Sequence, residues 1–216
     1  CISYNDLKSK IEKYLPKAIW VVHIGGHLTF DIEKISKLCK EKNIILIEDC
    51  AHAHGASYNK KKPGSWGDAG IYSLYATKTI STGEGGILVS KNKDLIDFSK
   101  SFKNYGKPEN KIIGKNYRMS EFNAALGCIQ IDRLKDIVEW KNEKISKEIK
   151  NYTNYLKLPD GMISGYYKFI VFDKINNSTG KVYDIGCHKI FNENVKLENT
   201  DWINKNHWCV PIYYKG

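Results

Sequence analysis

Apolar and polar positions along the chain follow two rhythms. Leu7, Ile11 and Leu15 recur at helical spacing and predict an amphipathic helix over Asp6–Leu15. Ala18–Ile24 is a continuous apolar run closed by Gly25-Gly26, which predicts a buried strand. Asp31 then stands where a helix N-cap belongs, with Ile32, Ile35 and Leu38 turned inward on a helix running to Asn43. Ile44–Ile47 follows at once as a second buried strand. Strand, helix, strand is a βαβ unit, so a parallel sheet with a right-handed crossover is expected. Ala69–Tyr75 and Gly86–Ser90 add strands, and Asp94–Asn104 adds a helix.

The second half has a different texture. Gly106, Pro108 and Gly114 mark a flexible interval. Ser120 begins a helix carrying Phe122, Ala125, Leu126 and Ile129, and a second helical pattern, long and charged, covers Leu134–Tyr152. Beyond Leu158-Pro159 the elements shorten: Tyr166–Phe172 alternates like a strand, and Val182 to His188 falls in a loop region. The pattern predicts an α/β protein with a boundary near Lys150–Pro159. A larger unit would span 1–150 and a smaller α+β unit 151–216. No internal repeat or low-complexity segment interrupts it.

Composition narrows the function classes. At 216 residues and 42% hydrophobic, the chain can bury a sizeable core. No run is long enough for a membrane span, and Cys1-Ile2-Ser3-Tyr4 is not a signal peptide. Six cysteines without a CxxC pair point to reduced thiols and a cytoplasmic setting. The net charge of +10 raises nucleic acid as a partner. Arg118 and Arg133 are the only arginines, however, and a lysine excess beside much Asn, Ile and Tyr suits an AT-rich coding sequence. Lys60-Lys61-Lys62 reads as a solvated turn. Neither nucleic acid nor a membrane is expected as a partner.

Candidate chemistry gathers between Ile44 and Gly86. The strand Ile44–Ile47 delivers Glu48-Asp49 to its carboxyl end, the edge of an open α/β sheet where ligands bind. The run Ala69–Tyr75 delivers Lys78, followed by the loop Thr82-Gly83-Glu84-Gly85-Gly86. A lysine and an acid brought together form either a surface ion pair or a Schiff-base lysine with an aspartate for the cofactor's ring nitrogen. A zinc site is disfavoured. His23 and His27 flank Gly25-Gly26, which argues against one helix face presenting both, and His52 and His54 lack a third ligand at recognisable spacing.

Four ordered blocks decide between the first two readings. They are Glu48-Asp49-Cys50-Ala51-His52-Ala53-His54-Gly55-Ala56, Gly64-Ser65-Trp66-Gly67-Asp68, Ser73-Leu74-Tyr75-Ala76-Thr77-Lys78 and the glycine-rich loop over 82–86. Together they resemble the DegT-type sugar aminotransferases. These are pyridoxal phosphate (PLP) enzymes of aminotransferase fold type I that act on nucleotide-linked keto sugars. Asn116-Tyr117-Arg118-Met119 and Ala124-Ala125-Leu126-Gly127 add to the likeness, in a region that forms the subunit interface in that family.

The resemblance implies a fold type I large domain joined to part of a smaller domain. It also implies roles for particular residues. Lys78 would carry PLP as a Schiff base and then move protons, and Asp49 would hold the ring nitrogen protonated. His52 would reach the phenolic oxygen and Ser73 the phosphate. Asn116 would reach the phosphate of a neighbouring subunit, so a homodimer is implied. His188 lies in a segment that approaches the sugar nucleotide in relatives. The amino donor would be glutamate and the acceptor a nucleotide-linked keto sugar. Related sugar dehydratases have histidine in place of the lysine, which Lys78 argues against. A PLP-fold remnant serving as a binding or regulatory partner is the alternative from another class. Relative to the family, an N-terminal part with a further phosphate loop and a ring-stacking aromatic is missing, as is the C-terminal end. The chain as given is therefore expected to bind PLP weakly and to lack measurable transaminase activity.

Overall fold

In the computed structural model the described residues are 1–214. Lys215 and Gly216, the end of the smaller unit expected over 151–216, lie outside the described residues. Helix α1 (Tyr4–Tyr14) starts slightly before its hydrophobic pattern because the Ser3 hydroxyl accepts the Asp6 N–H as an N-cap. Leu7 and Ile11 are buried, whereas Leu15 takes the left-handed C-cap conformation and is exposed. Strand β1 (Ala18–Val22) buries Ile19 and Val21 and leaves Trp20 and Val22 exposed. The run expected to be fully buried is thus covered on one face in this chain.

Helix α2 (Ile32–Glu41) packs Ile32, Ile35, Leu38 and Cys39 onto that covered face. Asp31 occupies the N-cap position, but its carboxylate pairs with Lys34 at 2.7 Å and makes no capping bond. Strand β2 (Ile45–Asp49) lies parallel to β1, from Ala18 opposite Ile45 to Val22 opposite Asp49. After the short β3 (Ser57–Tyr58), strand β4 (Ala69–Ser73) joins β2 in parallel, and β5 (Gly86–Val89) closes the order β1-β2-β4-β5 as an antiparallel edge. Helix α3 (Lys93–Phe102) follows, capped by Asn92.

Helix α4 runs without a break from Glu121 to Glu148, capped by Ser120. The two helical patterns of the sequence are therefore one helix. No proline separates them, and Gly127 is tolerated where a Cβ would stand 3.4 Å from the Thr82 methyl. Phe122 (89% exposed) and Ile129 project from its first half, while Ile137, Val138 and Ile145 are buried in its second. The remaining elements are β6 (Met162–Ile163), β7 (Phe169–Val171), α5 (Cys187–Ile190), α6 (Glu198–Lys205) and β8 (Trp208–Val210). Strand β6 pairs with β3, and β7 with β8, both antiparallel. Ile145 of α4 shares a buried cluster with Phe169, Val171 and Val210. No helix is long and apolar enough to cross a membrane, among the described residues.

Two features hold the carboxyl edge of the sheet in shape. Glu48 is fully buried and accepts four hydrogen bonds, from His23 Nε2 (2.9 Å) and the Gly64, Trp66 and Gly67 N–H groups (2.8, 2.7 and 2.6 Å). His23 Nδ1 accepts the Thr29 N–H, so its Nε2 carries the donated proton. Burial alone would raise the Glu48 carboxyl pKa, but the His23 bond and the Gly67 and Gly64 N–H groups together bring it below the ordinary value. The second feature is Gly26, at φ +109°, whose Cβ position would lie 2.3 Å from the Tyr167 nitrogen. Only glycine permits that approach. The Gly26 carbonyl accepts the Gly165 N–H and the Ser164 hydroxyl, and the Gly25 carbonyl accepts the Lys168 N–H. These bonds lash segment 164–168 across the end of β1.

Candidate active site

Parallel strands β2 and β4 end side by side, β2 on Asp49 and β4 on Ser73. The chain leaving β2 turns through Cys50 and Ala51 to His52, and the chain leaving β4 turns through Tyr75 to Lys78. Segment 164–168 supplies Tyr167, which ties these turns together. Its ring stacks on His52 (centroids 4.1 Å apart, planes at 24°), the Lys78 ammonium stands 5.1 Å above it, and its hydroxyl is 3.3 Å from Thr77 Oγ1. Asp49, His52, Ser73 and Lys78 thus all stand at the carboxyl edge of one parallel pair, where helices and strands leave room for ligands.

The hydrogen bonds inside this edge leave specific groups free. Asp49 is half-buried, and only its Oδ1 is engaged, by the Ala51 N–H at 2.9 Å. Ser73 Oγ accepts the Tyr75 N–H at 3.2 Å, so its own proton remains available to an acceptor. His52 Nδ1 accepts the Gly25 N–H at 3.4 Å, which leaves an N–H on Nε2. Burial first, and the Lys78 charge second, push the His52 pKa down to about 4. His52 is therefore neutral near pH 7 and offers one donor.

Lys78 also opens onto a cavity of about 600 Å³ lined by Arg133, Lys141, Tyr167, Lys168 and Thr179, among others. Lys141 is buried on α4; its Nζ donates to the Tyr166 carbonyl at 3.0 Å and to Thr79 Oγ1 at 3.5 Å. Burial pushes its pKa down to about 8.

Two candidates lie elsewhere. Asn116 is exposed and forms an isolated antiparallel bridge with Asn104, with no bond to the Lys78 edge of its own chain. His188 sits not in a loop but in the short helix α5, buried, with its Nε2 3.4 Å from Asp201 Oδ1; it does not line the Lys78 cavity. Conversely, Tyr167, Lys141 and Arg133 escaped the sequence reading. A signal for the last two existed, since Gln130, Arg133, Ile137 and Lys141 share helical spacing and all face the cavity. Tyr167 had none beyond its strand-like context.

A mixed sheet with a lysine and an aspartate at its carboxyl edge is an α/β architecture with polar groups where ligands bind. The chain belongs to the DegT/DnrJ/EryC1/StrS aminotransferase family, whose profile matches residues 1–161. It is 37% identical to the GDP-perosamine synthase of Escherichia coli O157:H7 over 162 residues, 73% of this chain and 44% of that protein. It is also 37% identical to the UDP-4-amino-4,6-dideoxy-N-acetyl-beta-L-altrosamine transaminase of Campylobacter jejuni, over 97% of this chain and 65% of that protein. Against the first of these the chain spans less than half the length, and against the second about two thirds. In fold it matches a DegT DnrJ EryC1 StrS aminotransferase from Brucella abortus with a TM-score of 0.85 at 20% identity. That match covers 98% of this chain and 65% of the other.

Proposed function

We propose that this chain forms the core of a PLP-dependent transaminase that moves an amino group, from glutamate, onto a nucleotide-linked keto sugar. The observation that carries the reading is the convergence of Asp49, Ser73 and Lys78 on the edge where β2 and β4 end side by side. The two relatives are named for a GDP-linked and a UDP-linked sugar, which supports the acceptor class. PLP, when bound, supplies a carbonyl for a lysine amine and a protonated ring that withdraws electrons from the substrate carbon.

The donor set fits that cofactor. Asp49 has a carboxylate oxygen free of chain partners and would hold a proton at the ring nitrogen. Ser73 keeps a hydroxyl proton for a phosphate oxygen. His52, fixed by Gly25 and stacked on Tyr167, presents Nε2–H to an anionic oxygen. Lys78 bears the reactive amine and, once released, would carry the proton between substrate and cofactor carbons. Asn116, exposed and away from its own site, is placed by this reading against a second subunit of a homodimer. A cytoplasmic enzyme accords with the reduced cysteines, all six of which are free.

Borohydride reduction of the PLP-treated protein tests the reading. A peptide modified at Lys78, together with a visible absorbance band that glutamate discharges in the full-length gene product, is the expected result. Adduct at another lysine, or a band that glutamate leaves untouched, would overturn it, the latter in favour of a non-catalytic PLP-binding role.

A further inference from the structure

One aromatic side chain enters the Lys78 edge from the far end of the sequence. Tyr167 stands beyond residues 1–161, over which the family profile matches, so its place beside Lys78 comes from the fold of this chain. Its backbone has little freedom. The Gly165 N–H donates to the Gly26 carbonyl at 2.7 Å, the Lys168 N–H to the Gly25 carbonyl at 2.9 Å and the Tyr166 N–H to Ser164 Oγ at 2.9 Å. The Tyr167 hydroxyl stands 3.3 Å from Thr77 Oγ1. Backbone and ring tip are thus held from two sides, by the loop after β1 and by the turn after β4.

The groups around the ring are held far less firmly by anything else. The Gly25 N–H meets His52 Nδ1 at 3.4 Å, the long end of a hydrogen bond, and the imidazole has no other such bond among the described residues. A contact that long leaves the imidazole free to turn. The stack on Tyr167, with centroids 4.1 Å apart and planes at 24°, fixes its plane. The lining of the Lys78 cavity holds no carboxylate among the described residues, and the Lys78 ammonium lies 5.1 Å from the Tyr167 centroid instead. The Lys168 ammonium lies 5.5 Å from the same centroid. An aromatic face attracts a cation at this range. A neutral imidazole stacks there without penalty, whereas an imidazolium would share the ring with two ammoniums. Lys78 from the turn after β4, His54 from its own loop and Lys168 from segment 164–168 all act with burial against a proton on His52.

We propose that Tyr167 is a positioning residue: its ring fixes the plane of the His52 imidazole and seats the Lys78 ammonium, so that a donor and an amine face one ligand together. The assignment rests on the PLP reading above for that ligand and adds the residue that holds its two partners in register. The aromatic face carries the effect and the hydroxyl only steers it, so phenylalanine can replace tyrosine and an aliphatic side chain cannot.

The test needs no turnover. In the full-length gene product with 13C-labelled histidine rings, and with His52 assigned by the His52→Gln variant, NMR titration reads the imidazole directly. His52 titrates at about 4 in the wild type. Tyr167→Ala should move it upward by about one pH unit or more, towards the ordinary value. Tyr167→Phe should leave it in place. Tyr167→Leu keeps apolar bulk without an aromatic face; it should move the titration in the same direction, and it serves if the alanine variant folds poorly. PLP binding followed by absorbance should weaken about threefold to tenfold in the alanine and leucine variants and stay at the wild-type level in Tyr167→Phe. An unmoved His52 titration in both Tyr167→Ala and Tyr167→Leu would overturn the assignment. So would a Tyr167→Phe protein that behaves like the alanine variant, because the hydroxyl would then be the working group. If the titration moves as expected while borohydride traps no adduct at Lys78, Tyr167 still positions His52 and the transaminase reading falls. If the Lys78 adduct forms in every variant with His52 unmoved, the transaminase reading stands and the positioning role falls.

Discussion

Glu48 and Asp49 are neighbours on β2, and strand alternation sends them to opposite faces. Glu48 disappears into the interior and is consumed by four hydrogen bonds from His23 and the 64–67 loop. Asp49 stays half-buried at the sheet edge with one backbone partner. The same contrast separates the two sides of the molecule. The buried Glu48 carboxylate is met by four N–H donors inside the chain, whereas the lining of the Lys78 cavity, among the described residues, holds four cations and no carboxylate. A charge that the fold satisfies fixes the loop geometry; a charge that the fold leaves unsatisfied is available to a ligand.

Swapping each carboxylate for its amide breaks that comparison cleanly. In the full-length gene product, Asp49→Asn should leave the melting temperature near that of the wild type and lower turnover by about 10²- to 10³-fold, because a neutral amide cannot keep a ring nitrogen protonated. Steady-state assay beside thermal melting reads both, and near-normal turnover removes Asp49 from the chemistry. Glu48→Gln should do the reverse. An amide NH₂ would face the N–H donors of the 64–67 loop, at a cost of about 3 kcal/mol in urea denaturation. Full stability in that variant would mean that Glu48 is not the hub of the loop.

Acid titration sharpens the contrast at a smaller scale. Burial holds both His52 and His54 at about 4, below the ordinary 6.5. The unfolded chain therefore binds more protons than the folded chain between these values, and stability must fall as pH drops from about 6.5 towards 4. Glu48, whose pKa is lowered on folding, adds its own loss only below the ordinary glutamate range. The urea midpoint should accordingly decline between pH 7 and 5 in wild type and decline less in His52→Phe. Equal slopes in the two proteins would show that His52 titrates alike in both states.

Much of this was legible in residue order because it depends on local chemistry. The βαβ unit followed from the apolar runs at Ala18 and Ile44 with an amphipathic helix between them, and β1, α2 and β2 form it. The placement of Asp49 at a strand end, with Lys78 in the turn beyond the next parallel strand, followed from the same runs. Family blocks such as Glu48-Asp49-Cys50-Ala51-His52 carry further because a short loop fixes its own geometry.

Other features could be decided only by the tertiary structure. Periodicity placed Lys141 on a helix, but a charged residue there reads as solvated until Ile137 and Ile145 on the same helix turn inward and carry it with them. Tyr167 reaches Thr77 from 90 residues away along the chain, and His52 from further still, through the bonds from Gly25 and Gly26 to segment 164–168. Nothing local in Tyr166-Tyr167-Lys168 encodes that contact. It exists because a glycine at positive φ lets two distant backbones approach more closely than any side chain would allow. Sequence determined which groups stand at the ends of the strands, since strand and turn are local matters. Packing decided which distant groups meet them, because close approach and burial belong to the whole chain.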